Sequence, residues 1–326
     1  MKRLLLGACA AALAAISTLP ASTRANAQDW PAKQVKLIVP FAAGSTPDVV
    51  GRLLTDYLQT KTGQTFVVEN RPGASGNTGT DVVAKADPDG YTLGMSILGP
   101  LGINAILFGK LPYDPAKDLS FITMLVTQPN ALAVNASLPV NTAQELLKLI
   151  KDNPGKYNFG SIGNGSLSHL SMEAMVLMAG SKMVHIPYPG SPAAMTALMR
   201  NDVQVASLPA IAVTPQLGGG AIKLLAISSN ERSKLLPDVP TLKESGIDLV
   251  GDAWSGLVAP AGTPAPIIEK IRAAFTEALQ SPGIREKIAP QLTEAIPTTP
   301  AQFRARVDAD IKRWGPVIQA ANIKVN

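Results

Sequence analysis

Apolar residues fall along this chain in two alternating rhythms, short continuous runs and longer stretches with apolar positions three and four apart. Val35 to Val39 is a short run closed by Pro40, the pattern of a strand covered on both faces of a parallel sheet. Val49, Val50, Leu53, Leu54, Tyr57 and Leu58 then mark one face of a helix, and Phe66-Val67-Val68 resumes the strand pattern. This is the βαβ rhythm of an α/β fold. Between the first strand and helix lie Phe41, Ala42, Ala43, Gly44, Ser45 and Thr46, a loop with little side-chain bulk. Thr46 fits as the N-cap and Pro47 as the first helical residue, which turns the unbonded N–H groups and positive end of the helix toward whatever enters the loop. Strand, small-residue loop and helix start together make an anion site.

The design recurs. Gly73, Gly76 and Gly79 lead into a second helix capped near Asn77 or Thr78, and Tyr91 to Ser96 is a strand ending in a small polar residue. Phe121 to Val126 and Ala131 to Val134 read as strand material passing into a new unit, with the crossing near Gln128. Asn141 to Asp152 is helical, stopped by Asn153-Pro154-Gly155. Tyr157 to Gly160, the loop Ser161 to Ser166 and a helix from about Ser168 to Met178 repeat the opening arrangement. Lys182 to Ile186, the loop Pro187 to Pro192 and a helix over Ala193 to Met199 repeat it again. Val203 to Ala206 and Ile222 to Ile227 follow as strands, so a second parallel sheet with loops at its C-terminal edge is expected. The remainder, with Trp254 to Ala259 and helices over Pro266 to Gln280 and Phe303 to Ala321, is expected to return to the first unit. The expected division is therefore 1–27 leader, 28–127 plus 228–326 first domain, and 128–227 second domain, with a cleft between the two loop edges.

Composition changes that picture at the N-terminus. Lys2 and Arg3 precede an apolar stretch from Leu4 to Leu19, and Ala25-Asn26-Ala27 is a small-x-small cleavage site before Gln28, so the chain is expected to be exported with its leader removed after Ala27. Cys9 is the single cysteine and leaves with the leader, which excludes disulfides and thiolate metal sites in the mature chain. Losing Lys2, Arg3 and Arg24 takes the 29 basic residues to 26 against 24 acidic ones, so the formal charge falls from +5 to +2. The basic balance is a property of the leader. No Lys/Arg run points to nucleic acid, and no second apolar stretch is long enough to cross a bilayer. With 46% hydrophobic residues and no low-complexity tract, a globular protein of about two domains is expected.

Several stretches together resemble a known family: WPAKQVKLIVPFAAGSTPDVVGRLL, VVENRPGASGNTGTDVVAKADPDGYTL, LPYDPAKD, GSIGNGSLSHLSMEA, HIPYPGSPAAM, LPDVPTLKESG and GLVAPAGTP. They look like the Bug family, the extracytoplasmic solute-binding proteins of tripartite tricarboxylate transporters, over nearly all of the mature chain. The resemblance implies a type II periplasmic-binding-protein fold of two α/β domains that closes on a small organic carboxylate and delivers it to inner-membrane permease subunits. Such proteins take dicarboxylates, tricarboxylates, acidic amino acids and aromatic acids, so the resemblance names no ligand. Two departures stand out. The family's first loop carries two adjacent glycines where this chain has Gly44-Ser45, and its Gly-Gly before the Val203 strand is replaced by Arg200-Asn201, a surface turn.

On this reading the ligand-binding residues are Phe41, Ala43, Gly44, Ser45, Asp48, Asn77, Ser96, Ser161, Gly163, Ser166, Tyr188, Gly190 and Ser191. Each has a plainer role beside it. The Ala43 to Thr46 loop is also an ordinary tight βα turn, Asp48 also complements the helix dipole, and Ser191 serves equally as an N-cap. Asp48 would repel a carboxylate in direct contact, so it is expected to face another part of the ligand. Arg71 could clamp an anion or simply fasten its loop. His169 and His185 read as hydrogen-bonded structural histidines, and Met172, Met175 and Met178 as a core stripe. No ligand spacing suggests a metal or organic cofactor, and the protein is expected to be a monomer. A sensor that presents its ligand to a membrane receptor needs the same closing cleft. An exported serine hydrolase using Ser161 or Ser166 would lack a G-x-S-x-G elbow and would have to recruit His169 or His185.

Overall fold

Strand β1 (Val35–Val39) is buried at every position but Lys36, because helices cover both faces of its sheet. The computed structural model describes residues 30–324; the leader expected over 1–27, with Cys9, lies outside the described residues. The other strands are β2 (Phe66–Asn70), β3 (Thr92–Ser96), β4 (Leu119–Gln128), β5 (Asn130–Asn135), β6 (Asn158–Ser161), β7 (Val184–Pro187), β8 (Val205–Pro209), β9 (Ile222–Ile227), β10 (Ala253–Pro260) and β11 (Glu294–Ala295). Six form one sheet in the order β11-β4-β10-β3-β1-β2, and five form a second in the order β7-β6-β8-β5-β9.

Both sheets are mixed, where the sequence pattern led us to expect parallel ones. β10 runs antiparallel to its neighbours β3 and β4, and β5 runs antiparallel to β8 and β9. The cause is the crossing itself. β4 passes into β5 across Pro129 without a helix, and β10 comes back beside β4, so these strands meet without the crossover that parallel neighbours require.

Helices α1 (Thr46–Thr62), α2 (Asn77–Ala84), α3 (Asn104–Leu107), α4 (Ala143–Asp152), α5 (Leu167–Met178), α6 (Ser191–Arg200), α7 (Ala210–Val213), α8 (Ala265–Gln280), α9 (Pro282–Ile288) and α10 (Pro300–Ala320) fill the remaining layers. On one face of the six-stranded sheet, Leu54 and Leu58 of α1 and Ile271 and Phe275 of α8 close over Leu37, Met95 and Leu257. Full burial of each such side chain is worth about 1.5–3 kcal/mol. On the other face, Val83 of α2 and Phe303 of α10 pack over Ile38 and Val258. A Cβ on Gly256 would lie 2.1 Å from the Phe303 ring, so only glycine lets α10 sit this close. Past Phe303, α10 carries Val307, Trp314 and Ile318 into the same core as Leu170, Met172 and Met175 of α5, on the other sheet. Met178, the last of the expected methionine stripe, is 48% exposed and lies outside that core.

The chain crosses between the sheets at Gln128–Asn130 and again at Gly251–Ala253, and the crossings are tied together. Thr127 Oγ1 donates to the Asp252 carboxylate and lies 3.2 Å from the Ala253 carbonyl, while Ser228 Oγ accepts from Asn130 N and donates to the Gly251 carbonyl at 2.9 Å. Segment 228–250, which the sequence pattern sends to the first unit, packs on the edge of the five-stranded sheet, where Leu242 N donates to the Ile227 carbonyl at 2.9 Å. Asn201, exposed, ends α6 in the left-handed conformation (φ 66°), which agrees with a surface turn at Arg200-Asn201. Among the described residues no helix is long and apolar enough to cross a membrane.

Candidate functional site

The first loop is held by its acid. Asp48, 3% exposed, accepts from Gly44 N at 2.8 Å and Arg52 Nε at 3.2 Å on Oδ2, and from Asn70 Nδ2 at 2.9 Å on Oδ1, where Arg52 also lies 2.9 Å away. Asn70 Nδ2 donates as well to the Phe41 carbonyl, 3.0 Å away. Burial works to raise the Asp48 pKa, but the hydrogen bonds from Arg52, Gly44 and Asn70 prevail and hold it below the ordinary carboxylate value. Asp48 is therefore ionised with both oxygens engaged inside the protein, and it shapes the loop. Gly44 takes φ 80°, which glycine adopts freely. Ser45, rather than Thr46, is the N-cap of α1, in extended geometry. Its hydroxyl makes no capping bond and is buried without a partner.

The second loop closes on itself. Ser166 caps α5 by accepting from His169 N at 3.2 Å, and its Oγ donates to the Gly163 carbonyl at 2.7 Å. Gly163 N donates to Ser161 Oγ, Gly165 N to His169 Nδ1 and Ser166 N to the Gly163 carbonyl. Beneath the loop, the His169 and His185 rings stack with centroids 3.7 Å apart, and His185 stacks on Phe159. Burial first, and the neighbouring His169 second, push the His185 pKa down to about 4. Ser161 Oγ lies 2.6 Å from His185 Nε2, and Ser161 is fully buried and lines neither cavity described below.

Between the sheets lies a two-armed cavity. The larger arm, about 310 Å³, is walled by Phe41 and the Ile97–Gly99 stretch of the six-stranded side and by Ile162–Leu167 of the five-stranded side. The smaller arm, about 200 Å³, runs to Ser45, Thr46 and Pro47 at the start of α1. Phe41, Ile97, Ala253 and Trp254 line both arms. Trp254 is fixed by its Nε1, which donates to Asp310 at 2.8 Å. Asp252, at the cavity wall, is paired with Arg306 at 2.8 Å. Among the described residues, no lysine or arginine lines either arm.

Of the expected residues, Phe41, Ser45, Gly163 and Ser166 line this cavity. Ala43 and Gly44 are exposed on the first loop. Asn77 stands behind the wall: its Oδ1 accepts from Asn104 Nδ2 at 2.7 Å and lies 3.1 Å from the hydroxyl of Tyr113, whose phenol burial pushes well above its ordinary pKa. Ser96 is buried 3.3 Å from Thr80 Oγ1. Tyr188 packs over Gly160, and its N–H donates to the Ser161 carbonyl; the N-cap of α6 is Gly190 (φ 134°) and not Ser191. None of these three lines either arm. Arg71 reaches Glu69 at the surface.

Sequence reasoning missed Ser75, the Ile97–Asn104 stretch, Leu107 and Asp252–Ser255. Ala74 and Ser75 hold left-handed φ values of 45° and 53°, and Gly99–Ile103 forms a π turn, two irregular features of the kind found at functional sites. The readable signal was position, since Ile97 and Ala253 adjoin strand ends at the cleft.

Comparison with known proteins places these features. A family model described as the tripartite tricarboxylate transporter family receptor matches residues 50–323. Protein BugT of Bordetella pertussis is 35% identical over 314 residues, covering 95% of this chain and 96% of its own length. Among solved structures, an adipate-bound protein of R. palustris is 33% identical with a TM-score of 0.76, covering 91% of this chain and 99% of that one. MatC of Rhodopseudomonas palustris with bound malate is 32% identical with a TM-score of 0.71, covering 88% and 99%. The architecture is the periplasmic-binding-protein fold of these relatives.

Proposed function

This chain belongs to the tripartite tricarboxylate transporter receptor family, and on that premise we propose that it binds a small organic carboxylate outside the cytoplasm and hands it to the membrane permease of such a transporter. The observation that carries this reading is the cavity walled from both sheets, with helix starts at both ends. A ligand seated there touches both halves, so closing the halves adds contacts, and the ligand favours the closed state by that difference. The two tied crossings near Gln128–Asn130 and Gly251–Ala253 are the natural hinge. Residues 30–127 with 253–324 would move as one domain, and 130–250 as the other. The adipate- and malate-bound relatives make carboxylates the first ligands to try. With no cation in the cavity, recognition falls to backbone N–H groups, hydroxyls and bridging water. We place the mature protein in the periplasm as a monomer from Gln28, without metal, cofactor or turnover. A thermal-shift and tryptophan-fluorescence screen of the mature protein against carboxylic acids tests the function. Saturable stabilisation by at least one acid is expected, and a broad screen of well-folded protein with none overturns it.

A further inference from the structure

Away from the cavity, a second contact joins the two sides. Leu292 follows the short turn Ala289–Gln291 and holds φ 51°, a left-handed conformation that a leucine adopts only at a cost. Its side chain packs against the core of the five-stranded side, which includes Ala131, Leu198, Val203 and Leu208, and Leu236 of segment 228–250 packs against the same core. Two residues on, Glu294 of β11 accepts from Ser233 Oγ of that segment. The segment is a firm abutment: Arg232 pairs with Glu244 and donates to the Pro237 carbonyl at 2.9 Å, and Glu244 accepts from Thr241 N. Gln128, in the wall of the smaller arm, donates from Nε2 to the Gln291 carbonyl at 2.8 Å and ties the base of the contact to the first crossing. A cavity of about 230 Å³ lies beside it, with Lys234 and Leu235 on one side and Arg285 and Thr293 on the other, so packing across this boundary is incomplete.

Strand order sets this contact opposite the ligand cavity. In the six-stranded sheet β11 lies on one side of β4, while β3 and β1, which lead to Ile97 and Phe41 of the cavity, lie on the other. In the five-stranded sheet segment 228–250 continues from the β9 edge on one side of β5, while β6, which leads to Ile162–Leu167, lies on the other. β4 runs into β5 through Pro129, so a rotation there that brings the cavity walls together draws Leu292 and Glu294 away from the segment. We propose that this contact is a latch that opposes closure, and that Leu292, Glu294 and Ser233 set ligand affinity through it as positioning residues. None of the three lines either arm. The proposal rests on the hinged binding function given above and concerns its regulation. The free energy held in the latch is subtracted from what a ligand gains on closing, so loosening the latch raises the closed fraction and tightens binding.

Calorimetry on the mature protein with adipate, malate, citrate and benzoate tests this. Leu292→Gly keeps the left-handed backbone and removes the packing contact, and Ser233→Ala removes the hydrogen bond. Each should tighten whichever acid the wild type binds by about threefold, and the double variant by about tenfold. Residues that only support the fold would leave affinity unchanged or weaken it, so the sign separates the two roles. A second pair of changes, Ser233→Cys with Glu294→Cys, enters a chain that has no other cysteine in residues 28–326. Bridging that pair with ethanediyl bismethanethiosulfonate should hold the latch shut and weaken binding about tenfold, and dithiothreitol should restore it. Wild-type binding with unchanged or weaker affinity in the Leu292→Gly, Ser233→Ala double variant overturns the inference and leaves the binding function standing. So does bridged protein that binds as tightly as the reduced form. Failure of every acid with wild type and variants alike overturns both.

Discussion

Asp48 acts on the site through the shape of a loop. Its carboxylate draws Gly44 N inward and joins Arg52 and Asn70, so the curvature from Phe41 to Ser45 depends on one ionised group. Because its folded pKa lies below the ordinary value, the stability it contributes is present at neutral pH and is lost as pH falls through the folded pKa. Asp48→Asn removes the charge and one acceptor while keeping the volume. The expected cost is about 2 kcal/mol in urea unfolding, since charge-assisted hydrogen bonds are lost and a loop N–H is left facing an amide. Carboxylate affinity should fall as well, although Asp48 lines neither arm. An unchanged urea midpoint would show that Arg52 and Asn70 hold the loop without it.

Two βα units face each other across the cleft, and the elements beneath the second are joined by aromatic stacking. Phe159 of β6, His185 of β7 and His169 of α5 form one column, with Glu173 of α5 3.4 Å from His169 Nε2 and Asp202 the acid that acts on the adjacent Tyr188. His185 has its pKa depressed to about 4 from an ordinary 6.5, so between these values the unfolded chain binds more protons than the folded one. Stability is therefore full above about pH 6.5 and declines as pH falls toward 4. Allowing for partial exposure, the decline is about 1–2 kcal/mol. Thermal melts from pH 7.5 to 4 should show it, and His185→Gln should flatten it; a melt profile unchanged by the substitution would remove His185 from the account. At this scale much was legible in the sequence. Strand runs ending in Ala-Gly-Ser or Ser-x-Gly loops before helices located both halves of the cleft, because chain direction alone puts such loops at a sheet edge. The wall between them was not legible. Ser75 enters through consecutive left-handed residues that are neither glycine nor asparagine, and Ile97 to Asn104 through a π turn, and neither conformation has a sequence signature. Asn77 and Ser96, expected as ligand contacts, turn their side chains to Asn104 and Thr80 instead, a choice made by packing partners distant in sequence.

Across the whole molecule, the second crossing is anchored by charge. Arg306 of α10 lies between Asp252 and Asp310; burial opposes its charge, but the two carboxylates raise its pKa and keep the guanidinium ionised. Asp310 also receives Trp254 and Arg313, so one helix fixes both the second crossing and a cavity wall. Arg306→Met leaves two buried carboxylates without that partner, and a loss of about 3–5 kcal/mol is expected in urea unfolding. A loss below about 1 kcal/mol would mean that Arg313 alone suffices. The position of β10 carries a different consequence. It lies between β3 and β4 in the middle of its sheet, yet comes from the last quarter of the chain. Until residues 253–260 are made, β3 and β4 each keep an open edge, and the first half of the protein cannot complete its sheet. Assembly must then wait for nearly the full chain, a long-range closure that slows folding. A nascent chain that leaves the ribosome or a secretion pore N-terminus first stays unfolded until its end arrives.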